Sequence, residues 1–594
     1  MRRPGARRVG VDTGGTFTDL VADDGAVVKV LSSPSDPAAA VRTAIDAAGG
    51  ADVLAHGTTV ATNALLERRG CRVTLVTTEG HADTIEIARQ TRPSLYDQWA
   101  DRPETLVPRN RRVEVAGRLD ARGRELTPVG SVELADGADA VAICLLHADR
   151  SPAHERALAA ELRGGGLDVT CSHEVSPEFR EYERTVTTVI NAYLRPACRP
   201  YLRRLADLTG EVLVMTSAGG LIPLEEAAER PVSLLVSGPA GGVLAGGRAA
   251  VAAGMPDAVT LDMGGTSTDV CLIRDGRPEP AAQRSVAGLP VRLPALDVHT
   301  IGAGGGSIAL IDSGGALVVG PASAGADPGP ACYGRGGERA TVTDADLAAG
   351  RIPASGALPG LDRLDAGAAE RALERAGVDA HAVITVVDAN MVRAVRRVSV
   401  ERGVDPRGLA LVAFGGAGPL HACALADALG MRAVIIPPRA GVLSATGLLA
   451  APRQLNLVRS WADPEDHAGA ESAAGELAAT ARRALTGAAG TELAYDCRYV
   501  GQSHELTVAR VADFESEHQR RNGFARRGTP VEVIALRAAA WLPSPVDLSA
   551  LPDLGTRSGT RRGPAVIAEA DCTIWVGDGW TAEVGGGGAW ILTR

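Results

Sequence analysis

Short apolar, β-branched runs alternate with amphipathic stretches along most of this chain, and that alternation sets the expected elements. Val27–Leu31, Val73–Thr77 and Val141–His147 read as strands, while Ala38–Ala48 and Ser151–Arg163 carry apolar residues at helical spacing. Over Tyr182–Leu205, Val186, Val189, Ile190, Tyr193 and Leu194 share one face, which predicts a long helix bridging two halves of the molecule. Glu211–Thr216, Val232–Val236, Leu409–Phe414 and Ala433–Ile436 predict further strands, the last stopped by Pro437 and Pro438; Leu420–Leu429 predicts a helix, and His56–Asn63 a turn that continues as a helix. An Ala-rich helical stretch fills about 456–490, followed by strand-like Tyr495–Tyr499 and Val531–Leu536, with exposed loops at Gly555–Gly563 and Gly585–Gly588. The pattern is that of an α/β protein: α/β units at 1–190 and 191–455, then a smaller β-rich domain at 456–594.

Within this pattern one octapeptide occurs twice. Asp12-Thr-Gly-Gly-Thr-Phe-Thr-Asp19 returns 250 residues on as Asp262-Met-Gly-Gly-Thr-Ser-Thr-Asp269, identical at six of eight positions. Each copy lies between two apolar runs, so each reads as strand, Gly-Gly turn, strand, and the repetition signals an internally duplicated architecture. The paired glycines Gly14, Gly15, Gly264 and Gly265 let backbone N–H groups approach an anion. Thr16 and Thr266 offer hydroxyls to phosphate oxygens, and Asp12 and Asp262 offer hard oxygens to a hydrated Mg²⁺. Two such hairpins facing each other would grip a triphosphate.

Length and composition narrow the class. A chain of 594 residues with 45% hydrophobic content is too long for one core and can bury several. A net charge of −10 argues against nucleic acid as the main partner. Nine scattered cysteines without a CxxC pair argue against a disulfide framework or a zinc site. The apolar stretch after the basic start ends at Asp12, and no uninterrupted apolar span approaches membrane length, so a cytoplasmic protein with no membrane partner is expected.

Three further glycine clusters carry candidate chemistry. Ser237-Gly-Pro-Ala-Gly-Gly242 precedes an Ala-rich helix, which would place Gly238 and Gly241 at a helix N-terminus that favours anions. In Phe414-Gly-Gly-Ala-Gly-Pro419, the bare backbone of Gly415, Gly416 and Gly418 gives a flat purine a surface to lie on; tight strand-to-helix turns are the plainer account of either loop. His299-Thr-Ile-Gly-Ala-Gly-Gly-Gly-Ser307 combines mobile backbone with polar groups and reads as an active-site loop, with Pro321–Gly334 as a wall beside it.

Taken with His56-Gly-Thr-Thr-Val-Ala-Thr-Asn63, Arg89-Gln-Thr-Arg-Pro-Ser-Leu-Tyr-Asp97 and Ala324-Gly-Ala-Asp-Pro-Gly-Pro330, these motifs resemble, in order and spacing over about residues 8–450, the hydantoinase A / 5-oxoprolinase family. The resemblance implies duplicated actin-like (RNase H-type) ATPase lobes, with the two acidic hairpins as phosphate motifs and the Phe414–Pro419 loop as the adenosine motif. It implies ATP and Mg as cofactors, with Asp12 and Asp262 organising the metal. It also implies ATP-driven opening of a cyclic amide, in which this chain phosphorylates the carbonyl oxygen and a separate B-type subunit hydrolyses the product, making a hetero-oligomer. His56 and His299 are expected as catalytic residues, and Thr58, Thr59, Arg89 and Arg92 as substrate contacts, each with a core hydrogen bond or a salt bridge as its plainer reading. Two other functions stay open: the ketone-carboxylase branch of the same family, and a non-catalytic ATPase switch acting on a partner.

Overall fold

A computed structural model describes all residues except 1–5, 34–35, 135–136, 282, 356–362, 553 and 556. The basic start of the chain therefore lies largely outside the described residues. The protein is α/β, and its two largest sheets contain the same five-strand unit. In the first lobe the strand order is Val27–Leu31, Phe17–Ala22, Arg8–Thr13, Val53–Thr58, Glu211–Met215; in the second it is Arg277–Pro278, Thr268–Arg274, Ala258–Met263, Ala410–Phe414, Ala433–Ile436. In both, three antiparallel strands are followed by two parallel ones. The hairpin registers also agree: Asp12 lies opposite Asp19, and Asp262 opposite Asp269.

Between strands Val53–Thr58 and Glu211–Met215 the first lobe carries an inserted, wholly parallel sheet in the order Val169–Cys171, Ala140–Cys144, Val73–Thr78, Arg112–Val115. The predicted long helix runs from Glu181 to Ala206. Its apolar residues Val186, Val189 and Ile190 join Ala140, Ala142 and Leu54 in one core that also takes in Val286, Leu289 and Val291, and Thr187 Oγ1 accepts from Arg292 N–H at 2.9 Å, so it ties the inserted sheet to the first lobe and also meets a hairpin from the second.

A short helix, Leu443–Ala450, makes a second and tighter bridge. It is buried nearly all round, which suits a helix wedged between two bodies. On one side a methyl group on Gly10 would fall 2.6 Å from Leu449 N. On the other, one on Gly241 would fall 2.5 Å from Ser444 O, and Gly447 packs on the Gly241 backbone. Backbone-to-backbone contact at these three glycines joins the first-lobe strand to helix Gly238–Ala252.

Three expectations are corrected. Val232–Val236 is not a strand: Pro231–Leu234 is a 3-10 turn, as Pro231 allows no ladder donor there. His56 lies in the strand Val53–Thr58 and not in a turn. The start of the Ala-rich stretch is a strand, Arg453–Ser460, ahead of helix His467–Ala484. The C-terminal strands are shared out. Arg453–Ser460, Gly490–Tyr499, Leu506–Val508 and Val531–Leu542 extend the first sheet and keep a small core of their own around Leu477, Tyr495, Phe514 and Leu536. Thr560–Arg562, Thr581–Val584 and Trp590–Thr593 extend the second sheet. Among the described residues no helix is long and apolar enough to cross a membrane.

Candidate active site between two acidic hairpins

The tips of the two hairpins meet. A methyl group on Gly265 would lie 3.0 Å from Thr16 Oγ1, and one on Gly15 would lie 3.9 Å from Thr266 Oγ1. Each tip is closed by its own turn, Gly14 N–H to Phe17 O at 3.0 Å and Gly264 N–H to Ser267 O at 3.1 Å. Gly15, Gly265 and Thr266 are left exposed, with Thr16 half-buried. Both Gly-Gly turns and both threonines therefore come together in one place.

Behind the tips stand four carboxylates, Asp12, Asp19, Asp262 and Asp269, all half-buried on the cleft floor. Burial first, then the charges of Asp19 and Asp262, hold the Asp12 carboxyl well above its usual range. Burial pushes Asp262 up to about 6, against a hydrogen bond from Ser444, and Asp269 up to about 7, against one from Thr300. Lys29 offsets part of this charge through its ion pair with Asp19 at 2.8 Å, and also donates to Gly441 O at 3.2 Å. Asp12 Oδ1 is buried and has no partner among the described residues. An excess of carboxylates with an unsatisfied oxygen suits a hard cation such as Mg²⁺, which prefers oxygen ligands and retained waters.

The glycine loops pack around this floor. Gly415 has φ +81°, and a methyl group there would collide with Asp262 Oδ1 and lie 2.5 Å from Met263 O, so only glycine lets the loop pass the carboxylate. Gly416 is exposed with open space at its α-carbon, and Gly418 begins helix Gly418–Leu429. The run Gly304–Gly306 is buried and fixed, contrary to the mobile loop expected: Gly305 N–H bonds Gly264 O at 3.0 Å and Gly306 N–H bonds Gly265 O at 2.6 Å. Its lack of side chains serves close packing behind the second tip. Pro321–Gly334 backs it in turn, with Ala324 N–H on Gly306 O at 2.8 Å.

The other expected residues fall elsewhere. His56 pairs in register with Val11 while Asp12 pairs with Gly57, so strand alternation turns the imidazole away from Asp12. It is fully buried, bonded to Val11 O at 3.1 Å and Tyr201 Oη at 2.5 Å, and burial lowers it to about 4; the geometry gives it a core role in place of the catalytic one. His299 lies opposite Val270, on the face away from Asp269, and burial together with Arg397 and Arg402 lowers its pKa. Thr300, its neighbour, reaches the floor with a 2.5 Å hydrogen bond to Asp269. Thr58 is buried and caps Val60 N–H at 3.2 Å, while Thr59 is half-buried beside Gly238. Arg89 forms an ion pair with Glu183 at 2.5 Å, and Arg92 is exposed on the same segment. Gly238 opens its helix as expected, but Gly241 is a packing glycine against Ser444 and does not face the cleft.

Family models place this arrangement. Residues 8–164 match the hydantoinase/oxoprolinase N-terminal region and residues 184–455 match hydantoinase/oxoprolinase. The chain belongs to the hydantoinase/oxoprolinase family. Within it, the chain is 35% identical to the caprolactamase subunit alpha of Pseudomonas jessenii, covering 99% of both chains. The crystal structure of the ATP-dependent caprolactamase from Pseudomonas jessenii matches with a TM-score of 0.84 at 32% identity, over 99% of each chain. It is also 34% identical to 5-oxoprolinase 1 of Arabidopsis thaliana, over 75% of this chain and 41% of that one, and 32% identical to the acetophenone carboxylase gamma subunit of Aromatoleum aromaticum, over 72% and 66%. Around the candidate site of this hydantoinase/oxoprolinase chain stand two residues outside every motif, Lys29 and Ser444, and one inside the His299–Ser307 loop that was not singled out, Thr300. None lies in the repeated octapeptide; the strand register that sets Thr300 opposite Asp269 turns Thr300, and not His299, towards the carboxylates.

Proposed function

We propose that this chain is the nucleotide-binding subunit of an ATP-dependent amidohydrolase acting on cyclic amides of the hydantoin or 5-oxoproline type. Two acidic hairpins meeting tip to tip over four carboxylates, one with an unsatisfied oxygen, carry this assignment. Asp12 and Asp262 would hold Mg²⁺. Gly14, Gly15, Thr16, Gly264, Gly265 and Thr266 would take the phosphates through backbone N–H groups and hydroxyls, and Gly415, Gly416 and Gly418 would border the adenosine. The repeated five-strand order fits the actin-like (RNase H-type) plan. When bound, the nucleotide supplies the phosphoryl group that turns an unreactive amide oxygen into a leaving group. The work left to the protein is positioning and charge neutralisation, and the fixed Gly304–Gly306 backing keeps the second tip from giving way.

A B-type subunit completes hydrolysis in this scheme, and the complex is cytoplasmic. The segment carrying Arg89 and Arg92 also exposes Leu95 at 79%, Tyr96 at 99% and Trp99 at 82%, an apolar surface of the kind a partner covers. The likeness to an acetophenone carboxylase subunit supports a second reading, in which the same site activates a ketone.

The test is ADP release by the purified chain, with and without the product of its neighbouring gene, on hydantoins, 5-oxoproline, ε-caprolactam and small ketones with bicarbonate. Release that depends on a cyclic amide is the expected result. Dependence on a ketone with bicarbonate selects the carboxylase, and dependence on the partner protein alone, with no small substrate, selects an ATPase switch.

A further inference from the structure

The turn ahead of helix Gly238–Ala252 carries three features that packing does not explain. Val236 is β-branched yet sits at φ +54°, a strained conformation pinned by a 2.8 Å hydrogen bond from its N–H to Thr62 Oγ1. Ser237 stands at the N-cap but its side chain makes no cap bond; it is fully buried and its hydroxyl has no partner among the described residues. An N-cap serine ordinarily accepts from the first helical turn, and a buried hydroxyl left unpaired costs stability. Arg284 reaches the same turn and donates to Leu235 O.

Arg284 is on the hairpin Arg284–Val286/Leu289–Val291, which leaves the second lobe and packs Val286, Leu289 and Val291 into the first-lobe core. Among the described residues no carboxylate pairs with it and its buried Nε has no partner, and burial draws it down to about 10. One turn thus carries the carbonyl that Arg284 bonds, a hydroxyl two residues on with no partner among the described residues, and the positive end of a 15-residue helix. That combination fits an oxyanion.

The point lies next to the carboxylate floor. A methyl group on Gly238 would be 3.6 Å from Thr59 Cγ2, and Thr59 is two residues beyond Gly57, which pairs with Asp12. Two residues span about 7 Å, roughly the reach of a small ring and its substituent.

Building on the amidohydrolase reading above, we infer that Arg284, Ser237 and the N-terminus of helix Gly238–Ala252 form a subsite for a carboxylate carried by the substrate. The substrate class is then an anionic cyclic amide and not a neutral lactam. The hairpin tips already provide a cradle for nucleotide phosphates, and arginine's planar fork matches a carboxylate in two-point contact.

Calorimetric titration without nucleotide reads this subsite independently of turnover, so its outcome is separable from that of the ADP-release test. The intact chain, Arg284→Met and Ser237→Ala are each titrated with 5-oxoproline, with 2-pyrrolidinone, which is the same ring without the carboxylate, and with inorganic phosphate. The wild type is expected to prefer 5-oxoproline by ~10-fold or more, and both variants to lose that preference. Arg284→Met is expected to melt no lower than wild type, because it removes a charge that nothing pairs. Equal wild-type affinity for the two rings, or a preference that survives in Arg284→Met, overturns the assignment. Loss of phosphate binding in Arg284→Met with the ring preference untouched also overturns it and gives the subsite to a phosphoryl group.

Discussion

In the first hairpin Asp19 is paired with Lys29 at 2.8 Å; in the second, the matching Asp269 has the hydroxyl of Thr300 at 2.5 Å and no ion pair among the described residues. Asp12 has an oxygen with no partner among the described residues, whereas Asp262 receives Ser444 Oγ at 3.2 Å and lies against Gly415. The two copies share sequence, register and strand order, so these differences come from what surrounds the repeated hairpins: Lys29 on the edge strand Val27–Leu31, whose counterpart Arg277–Pro278 is only two residues long, Thr300 on the strand Val298–Ile301, and Ser444 on the interlobe helix. Duplication reproduced the geometry of the carboxylates, and later packing set their charge environments apart. The unsatisfied Asp12 is the position that gains most from a cation, while Asp262 is already oriented.

The sharpest way to break this contrast is to neutralise each carboxylate in turn. Asp12→Asn and Asp262→Asn are both expected to lower ATP turnover by about 100-fold or more, read as ADP release. Their melting midpoints should part: Asp12→Asn should rise, since it relieves repulsion at an unpaired buried carboxylate, and Asp262→Asn should rise less. Equal turnover in Asp262→Asn and wild type would falsify its role.

The next effect tests the loop against Asp262. Gly415→Ala forces a side chain onto φ +81° and into the carboxylate, for a loss of about 1–3 kcal/mol in chemical unfolding together with lost turnover. Gly264→Ala, with open space around its α-carbon, should change stability far less. Similar losses in the two would mean the loop does not constrain Asp262.

A smaller pair of changes separates the two hairpins directly. Lys29→Met leaves Asp19 without its cation and should cost about 2 kcal/mol, while Thr300→Val removes one hydrogen bond to Asp269 and should cost about 1 kcal/mol. The ordering, measured by urea unfolding, is what matters; a costlier Thr300→Val would reverse the account of the two sites.

The smallest effects are changes of slope with pH from two buried histidines. Burial lowers His56 to about 4, so its folded form favours the neutral ring and the stability it supplies is lost as pH falls from about 6.5 towards 4. His421 is the reverse: burial opposes its charge, but Asp346 at 3.3 Å and Asp388 at 2.7 Å outweigh it and raise it to about 10. Its contribution is present below about 6.5 and lost as pH rises towards 10. Melting curves of His56→Gln and His421→Gln against wild type should therefore converge at the acid and alkaline ends respectively.

The sequence by itself determined the local pieces. The repeated octapeptide fixed two Gly-Gly hairpins with acidic strand ends, the period-two runs fixed most strands, and the motif order fixed the family. These are signals within a few residues, where alternation and turn chemistry act. Tertiary structure decided what each piece faces. His56 and His299 looked like site residues in the sequence, yet pairing with Val11 and Val270 turned both away, because in a strand one step of register exchanges the cleft face for the core face. The C-terminal stretch read as one β-rich unit, but its strands found open edges on two different sheets, and edge pairing leaves no mark in a local pattern. Lys29, Thr300 and Ser444 reach the four carboxylates only because segments far apart in the chain close on one another.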